Sequence, residues 1–248
     1  MKIVAINGGP RKGQVSKTTM MLEAFLEGCR KAGAEVEVIN LREKTINMCI
    51  GCYTCWVKTP GVCVHKDDMK DILDIRKGAD VEVWATPLYI FGPTAMFKNF
   101  LDRSIPLYEP YIVEKDGLCA HPPRVADQVS DIVVISVAGF YELDHFRPMS
   151  DWLHFMAGRG LGRIGAEIYR SSAEFMSAPP LKPLTDKILE ATKKAGEEYV
   201  RDGRIHEDTM KAIQLDIMPD QETFLKQANA FWDWDIDRWK KRRAGKQS

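Results

Sequence analysis

Residues 2–13 read Lys2-Ile3-Val4-Ala5-Ile6-Asn7-Gly8-Gly9-Pro10-Arg11-Lys12-Gly13, and Ser16-Lys17-Thr18 follows close behind. The first six form a short β-rich run that the glycines end at once. From Met20 to Ala32, the residues Met21, Leu22, Phe25, Leu26 and Cys29 keep one apolar face at helical spacing. The order is strand, glycine-rich turn, helix, with hydroxyls where the helix begins. Such a turn can offer backbone N–H groups, an arginine and two hydroxyls to a phosphate, and the helix dipole adds to the attraction. It lacks the Gly-Lys-Ser/Thr ending of a nucleotide-triphosphate loop and the Gly-x-Gly-x-x-Gly of dinucleotide binding. The bland reading is an ordinary βα turn whose Ser16 caps a helix.

Downstream the alternation continues. Ala34–Leu41 alternates polar and apolar residues as an edge strand does. A helix opens at Lys66-Asp67-Asp68-Met69 and runs to about Lys77, capped by Asp67 or Asp68. Val81–Thr86 is a third strand, ending in the rigid, aromatic loop Thr86-Pro87-Leu88-Tyr89-Ile90-Phe91-Gly92-Pro93. A helix from Thr94 to Arg103 turns Phe97, Phe100 and Leu101 inward. Ser104–Gln128 has no clear period and reads as a long loop, which Tyr108, Tyr111 and His121 mark as a packed lid. Ile132–Ala138 is the most apolar strand and ends in Gly139-Phe140-Tyr141. A helix over Arg147–Ala157, a fifth strand over Ala166–Tyr169 and an amphipathic helix over Leu184–Asp202 follow.

This pattern predicts an α/β fold: a doubly wound, five-stranded parallel sheet of order 2-1-3-4-5 over residues 1–203. Residues 204–248 form a helical extension, with a helix over Gln221–Arg243 carrying Phe231, Trp232, Trp234 and Trp239. Those aromatics suit packing on the domain or on a second subunit. In this topology ligands sit beyond the carboxyl ends of strands 1 and 3. Gly8–Thr18, Pro87–Gly92 and Gly139–Tyr141 would meet there. One loop suits a phosphate and two offer flat apolar surface, a site for a mononucleotide with a large ring, which FMN fits best.

Lys+Arg and Asp+Glu balance at 35 each, so no overall field recruits nucleic acid or an anionic membrane. No secretory signal precedes the first strand and no apolar run reaches the ~18 residues of a membrane span. The expected compartment is the cytoplasm, where thiols stay reduced. There, Cys49-x2-Cys52-x2-Cys55-x7-Cys63 asks for a chemical reason, since four of the six cysteines lie in this stretch. Three cysteines at every third position let one loop wrap a cuboidal [4Fe-4S] cluster that a later cysteine closes, and Thr59-Pro60-Gly61 could swing Cys63 back. Structural zinc more often uses two separated Cys-x2-Cys knuckles. Reduced bystander thiols are the third reading. Cys29 belongs to a helix core, and Cys119 has no assigned role.

The loop 7–18 resembles the phosphate loop of flavodoxin-fold NAD(P)H-dependent FMN reductases. Residues 86–93 resemble their flavin-ring loop, and Ala138-Gly139-Phe140 their third loop. The cysteine motif resembles that of the iron–sulfur flavoproteins within that superfamily. The resemblance implies that Arg11, Ser16 and Thr18 contact the FMN phosphate. Pro87, Leu88, Tyr89, Phe91 and Gly92 would hold the ring, with Gly139 and Phe140 across from them, and Cys49, Cys52, Cys55 and Cys63 would hold the cluster. That family usually has Ser where Gly9 stands and Asn where Lys17 stands, so one hydroxyl is missing and Lys17 offers a cation instead. The implied activity is an FMN-dependent oxidoreductase using NAD(P)H and passing electrons to a small molecule or a protein, a ferredoxin-like one among them. A cluster-free reductase of flavins or quinones and a flavodoxin-like carrier are the alternatives. No side chain is assigned as catalytic acid or base, although Tyr89, Tyr141 and His121 could reach a substrate. Because the cysteine loop follows the edge strand, the expected working unit is a homodimer or homotetramer in which cluster and flavin of neighbouring subunits exchange electrons.

Overall fold

The computed structural model describes residues 1–13, 16–125 and 130–244. Parts of the predicted phosphate turn (14–15) and of the predicted lid (126–128) therefore lie outside the described residues. The chain divides into two compact units, Met1–Leu215 and a second from Asp216 onward.

The first unit opens with β1 (Lys2–Asn7), α1 (Lys17–Lys31) and β2 (Glu35–Asn40), then α2 (Thr54–Val57) and α3 (Met69–Arg76). Next come β3 (Val81–Pro87), α4 (Ala95–Asp102), the short strands β4 (Val113–Lys115) and β5 (Leu118–Ala120), and β6 (Asp131–Val137). It closes with α5 (Arg147–Met156), β7 (Arg163–Arg170), α6 (Lys182–Asp202) and α7 (Glu207–Ile213).

The main sheet has the order β2-β1-β3-β6-β7, and every pairing in it is parallel. This is the predicted doubly wound order. Helices cover both faces, so the central strands are near-continuous apolar runs, and Ile3–Ile6 and Ile132–Ile135 are fully buried. β2 is the edge, and its exposed and half-buried positions explain its polar alternation.

Beyond shifts of one or two residues at other element ends, four features differ from the sequence reading. α1 starts at Lys17, because the Ser16 hydroxyl accepts from Thr19 N at 3.2 Å and caps the helix three residues earlier. The fifth main-sheet strand runs Arg163–Arg170 rather than Ala166–Tyr169. The 104–125 segment contains the hairpin β4–β5 instead of a plain loop. Asp116 (φ 50°) and Gly117 (φ 74°) make its turn, a left-handed pair that suits an Asp-Gly hairpin. The first unit continues to Leu215, past Arg204, where the sequence reading begins the extension.

α1 and α6 cross at two glycines. A Cβ on Gly28 would lie 1.8 Å from Lys193 O, and one on Gly196 would lie 2.0 Å from Phe25 O. The second unit contains α8 (Gln221–Ala244), which begins where Asp220 Oδ1 accepts from Thr223 N. On α8, Trp232, Trp234 and Trp239 are exposed, and the Arg238 and Arg243 guanidinium groups lie over the Trp234 and Trp239 rings at 4.5 and 5.2 Å. No described helix is long and apolar enough to cross a membrane.

Candidate functional site

A cleft opens at the carboxyl end of the sheet, where β1, β3, β6 and β7 feed their loops. Pro10, Arg11, Ser16, Lys17, Thr18, Pro87, Leu88, Tyr89, Val137, Ala138, Gly139, Ala173 and Glu174 line it. Three separated loops predicted to meet do meet. Of the predicted residues, Gly9, Phe91, Gly92 and Phe140 stay outside this lining.

Each wall has a local cause. Asn7, buried at the end of β1, accepts from Gly9 N at 2.9 Å and donates to Thr19 Oγ1 and Asn40 Oδ1. It thereby ties the turn to α1 and the edge strand. A Cβ on Gly9 would stand 3.0 Å from Asn7 Oδ1 and 3.3 Å from Ser16 Oγ. A side chain there would fit only if Asn7 and Ser16 gave way by a few tenths of an ångström. Lys17 is only 6% exposed, and burial pulls its ammonium below the ordinary lysine range, partly offset by Glu174. Arg11 pairs with Glu174 at 2.7 Å across the mouth. The N-terminus of a fifteen-residue helix, Arg11, Lys17 and the buried Ser16 and Thr18 together fit a phosphate.

The loop after β3 is a tight reversal in which Tyr89 and Gly92 exchange backbone hydrogen bonds of 2.8 and 3.0 Å. Its two central residues, Ile90 (φ 48°) and Phe91 (φ 59°), are left-handed, and Ile90 is 94% exposed. A β-branched residue in that region is strained. The loop is anchored by Leu88 N to Val137 O, and by Thr94, which donates to Gly8 O and accepts from Phe97 N. The loop after β6 is fixed by Ala138 N to Arg170 O and Ser172 N to Phe140 O. Pro87, Leu88 and Gly139 therefore present a flat, mostly apolar wall suited to an aromatic ring.

The cysteines form a second feature. Cys49, Cys52, Cys55 and Cys63 line one recess together with Ile50, Gly51, Tyr53, Val64, His65, Arg103 and Ile105. Gly51 (φ 63°) and Tyr53 (φ 52°) are left-handed and bend the loop around it. The Cys52 thiol is held below its ordinary range by hydrogen bonds from Thr54, while burial and then the neighbouring Cys63 raise Cys55. Cys29 lies in the core, its thiol pushed up to about 12 by burial, as the sequence predicts for a packing residue. Among the described residues no three His, Cys, Asp or Glu side chains converge as ligands of a single metal ion. A cuboidal cluster takes its thiolates at separate corners, so that observation speaks to single-ion sites. Two buried nitrogens around the recess, His65 Nε2 and Arg103 Nε, have no hydrogen-bond partner. Buried polar groups left unpaired are costly, and cluster sulfurs would accept from Arg103 Nε and from His65 in its Nε2-protonated tautomer. The residues present fit a cluster.

The predicted lid covers this recess rather than the cleft. Trp56 donates to Ile105 O at 3.2 Å, Arg124 donates to Cys55 O at 3.3 Å, and the His121 ring packs on Trp56 at 4.7 Å. His121 also bonds Tyr111 O through Nδ1 and is absent from the cleft lining, which corrects its reading as a substrate-reaching group. Recess and cleft lie at opposite ends of α4: Thr94 starts the helix beside Gly8, and Arg103 ends it at the cysteines. Eight residues of helix span about 12 Å.

Residues 1–115 match the family model of the NADPH-dependent FMN reductases. The matched segment contains the phosphate turn, the cysteine recess and the ring loop. An iron–sulfur flavoprotein of Archaeoglobus fulgidus is 42% identical over 119 residues, 47% of this chain and 52% of that one. Another, from Methanocaldococcus jannaschii, is 38% identical over 107 residues, 43% of this chain and 53% of that one. The chain thus spans about half the length of the curated relatives it matches. In fold, the chain is similar to an FMN-dependent NADH-azoreductase of Bacillus anthracis, with TM-score 0.60 and 17% identity over 81% of this chain and 100% of that one.

Beyond the matched segment, sequence reasoning missed two residues: Glu174, which lines the cleft, and His145, which lies outside that lining beside the predicted ring and third loops. Glu174 follows β7, and the rule that ligands sit at strand carboxyl ends applies to that loop as well. His145 packs between Phe140 and Phe91, at 4.8 and 5.8 Å between ring centroids, and bonds Glu142 at 3.1 Å. Its signal was a histidine five residues beyond the third loop.

Proposed function

We propose that this protein is an FMN-dependent oxidoreductase that uses NAD(P)H and carries a [4Fe-4S] cluster on Cys49, Cys52, Cys55 and Cys63. The observation that carries the reading is the convergence of the phosphate turn, the ring loop and the third loop on one cleft, in a chain whose first 115 residues match the FMN reductase family model. FMN exchanges electrons in pairs or singly and an iron–sulfur centre exchanges them one at a time, so together they link two-electron donors to one-electron acceptors.

This chain's own residues bind and orient. Arg11, Lys17, Ser16, Thr18 and the α1 N-terminus hold the phosphate, and Pro87, Leu88, Tyr89 and Gly139 set the ring plane. The strained Ile90-Phe91 turn, with Gly92 closing it, and Phe140 remain at the rim, where they contact an incoming donor or acceptor. The recess lies at the far end of α4, so the working assembly is a homodimer or homotetramer in which one subunit's cysteines approach its neighbour's cleft. A protein partner of ferredoxin type or a small acceptor completes the electron path. Anaerobically purified protein should contain FMN and oxidise NADH or NADPH in steady state with an added acceptor. Flavin-free protein without such activity would contradict the proposal.

The cluster-free reductase of flavins or quinones is the second reading. The exposure of Cys49 and Cys52 favours it. Iron and sulfide content separates the two.

A further inference from the structure

The end of α4 is bound to the cysteine loop by a buried ion pair that the phosphate and ring sites do not need. Arg103 is 1% exposed, and its Nη1 and Nη2 grip the two oxygens of Asp67 at 2.8 and 2.9 Å. Nη1 also donates to Asn47 O, two residues before Cys49. Asp67 in turn accepts from Asn47 N, Asn47 Nδ2 and Met69 N. Burial would raise its carboxyl, but the bonds from Arg103, Asn47 and Met69 outweigh this and hold it well below the usual carboxylate range. A pair so placed costs desolvation that its mutual attraction only partly returns. It leaves Nε of Arg103, a directed donor at the wall of the cysteine recess, without an acceptor. His65 Nε2 is the second unpartnered nitrogen at the same wall. The Cys63 sulfur also lies within reach of the guanidinium.

We propose that Arg103 is a positioning residue for Cys63 and, with His65, a hydrogen-bond donor to the sulfurs of the cysteine-bound centre, with Asp67 fixing the guanidinium's direction. The assignment rests on the cluster reading above. The geometry supports it because Asp67 neutralises most of the guanidinium charge, leaving orientation as what Arg103 contributes. Donors to cluster sulfurs disperse negative charge, which increases on reduction, and so they raise the reduction potential. A lysine could replace the charge but not the fork that serves Asp67 and the recess together.

The test uses the full chain, anaerobically reconstituted with iron and sulfide. Three variants are compared: Arg103→Lys, the double variant Arg103→Met with Asp67→Asn, which avoids a stranded carboxylate, and His65→Phe. FMN content, set at the other end of α4, serves as the check on folding. The potential from an EPR-monitored redox titration should fall in all three. In iron-free protein, alkylation of Cys63 should speed up severalfold in the two Arg103 variants and not in His65→Phe. Loss of iron and sulfide from the Arg103 variants with FMN retained also supports the positioning role. Clusters at the wild-type potential, with unchanged Cys63 alkylation, overturn the assignment and leave the cluster reading standing. Wild-type protein that takes up no iron and sulfide overturns that reading, and this assignment with it.

Discussion

Lys17 and Glu174 set the charge of the cleft in opposite senses. Lys17 is buried beside Ser16 and Thr18 with a lowered pKa, so a phosphate would relieve it. Lys17→Ala should weaken FMN binding about tenfold, from the loss of a charge-assisted contact of roughly 1.5 kcal/mol. Because the buried ammonium loses its proton at lower pH than a surface lysine, wild-type affinity should fall on the alkaline side, and the variant should lack that fall. Calorimetric Kd values across pH check both; an unchanged Kd contradicts the role. Glu174 and Arg11 are both more than half exposed, so their pair adds little stability. Glu174→Gln should leave Tm nearly unchanged and tighten FMN severalfold, since it frees Arg11 and removes a like charge. At this scale the sequence showed the cations and hydroxyls, because they cluster within one turn. Glu174 was hidden, since its approach to Arg11 depends on where β7 ends.

Among the elements, the turn after β3 and the α1–α6 crossing carry the clearest expectations. Ile90 and Phe91 occupy left-handed positions without glycine, and Ile90 is almost wholly exposed. Replacing the pair with Asn-Gly should raise stability by about 1 kcal/mol by relieving strain. The same change should raise KM for the electron partner, and a stabilised protein with unaltered kinetics would argue against a contact role for the rim. At the crossing, Gly196→Ala would press a methyl onto Phe25 O. It should cost about 2–3 kcal/mol and lower Tm by roughly 5–10 °C, read by thermal unfolding. The alternation of strands and helices was legible because buried parallel strands are continuous apolar runs and their helices have amphipathic period. The β4–β5 hairpin was not, since its strands are three residues each and lack a measurable alternation. Its Asp116-Gly117 turn was the one local sign. The lid's covering of the cysteines depends on Trp56, His121 and Arg124, residues far apart in sequence.

In the whole molecule, the order β2-β1-β3-β6-β7 places the cysteine loop beyond the edge strand and the cleft over the centre. The sheet order followed from counting units; the separation of the two features along α4 followed from that order. If electrons cross between subunits, mixing a Cys63→Ser chain with a Lys17→Ala, Arg11→Gln chain should restore flavin-to-cluster transfer that neither shows alone. Stopped-flow absorbance would detect it, and monomeric protein with both centres fully reduced would contradict it. The central claim, one flavin and one four-iron centre on the same chain, is tested most directly by flavin, iron and acid-labile sulfide analysis of anaerobically purified protein. About four iron and about four sulfide per FMN are expected. FMN without iron or sulfide, or iron without FMN, would contradict it.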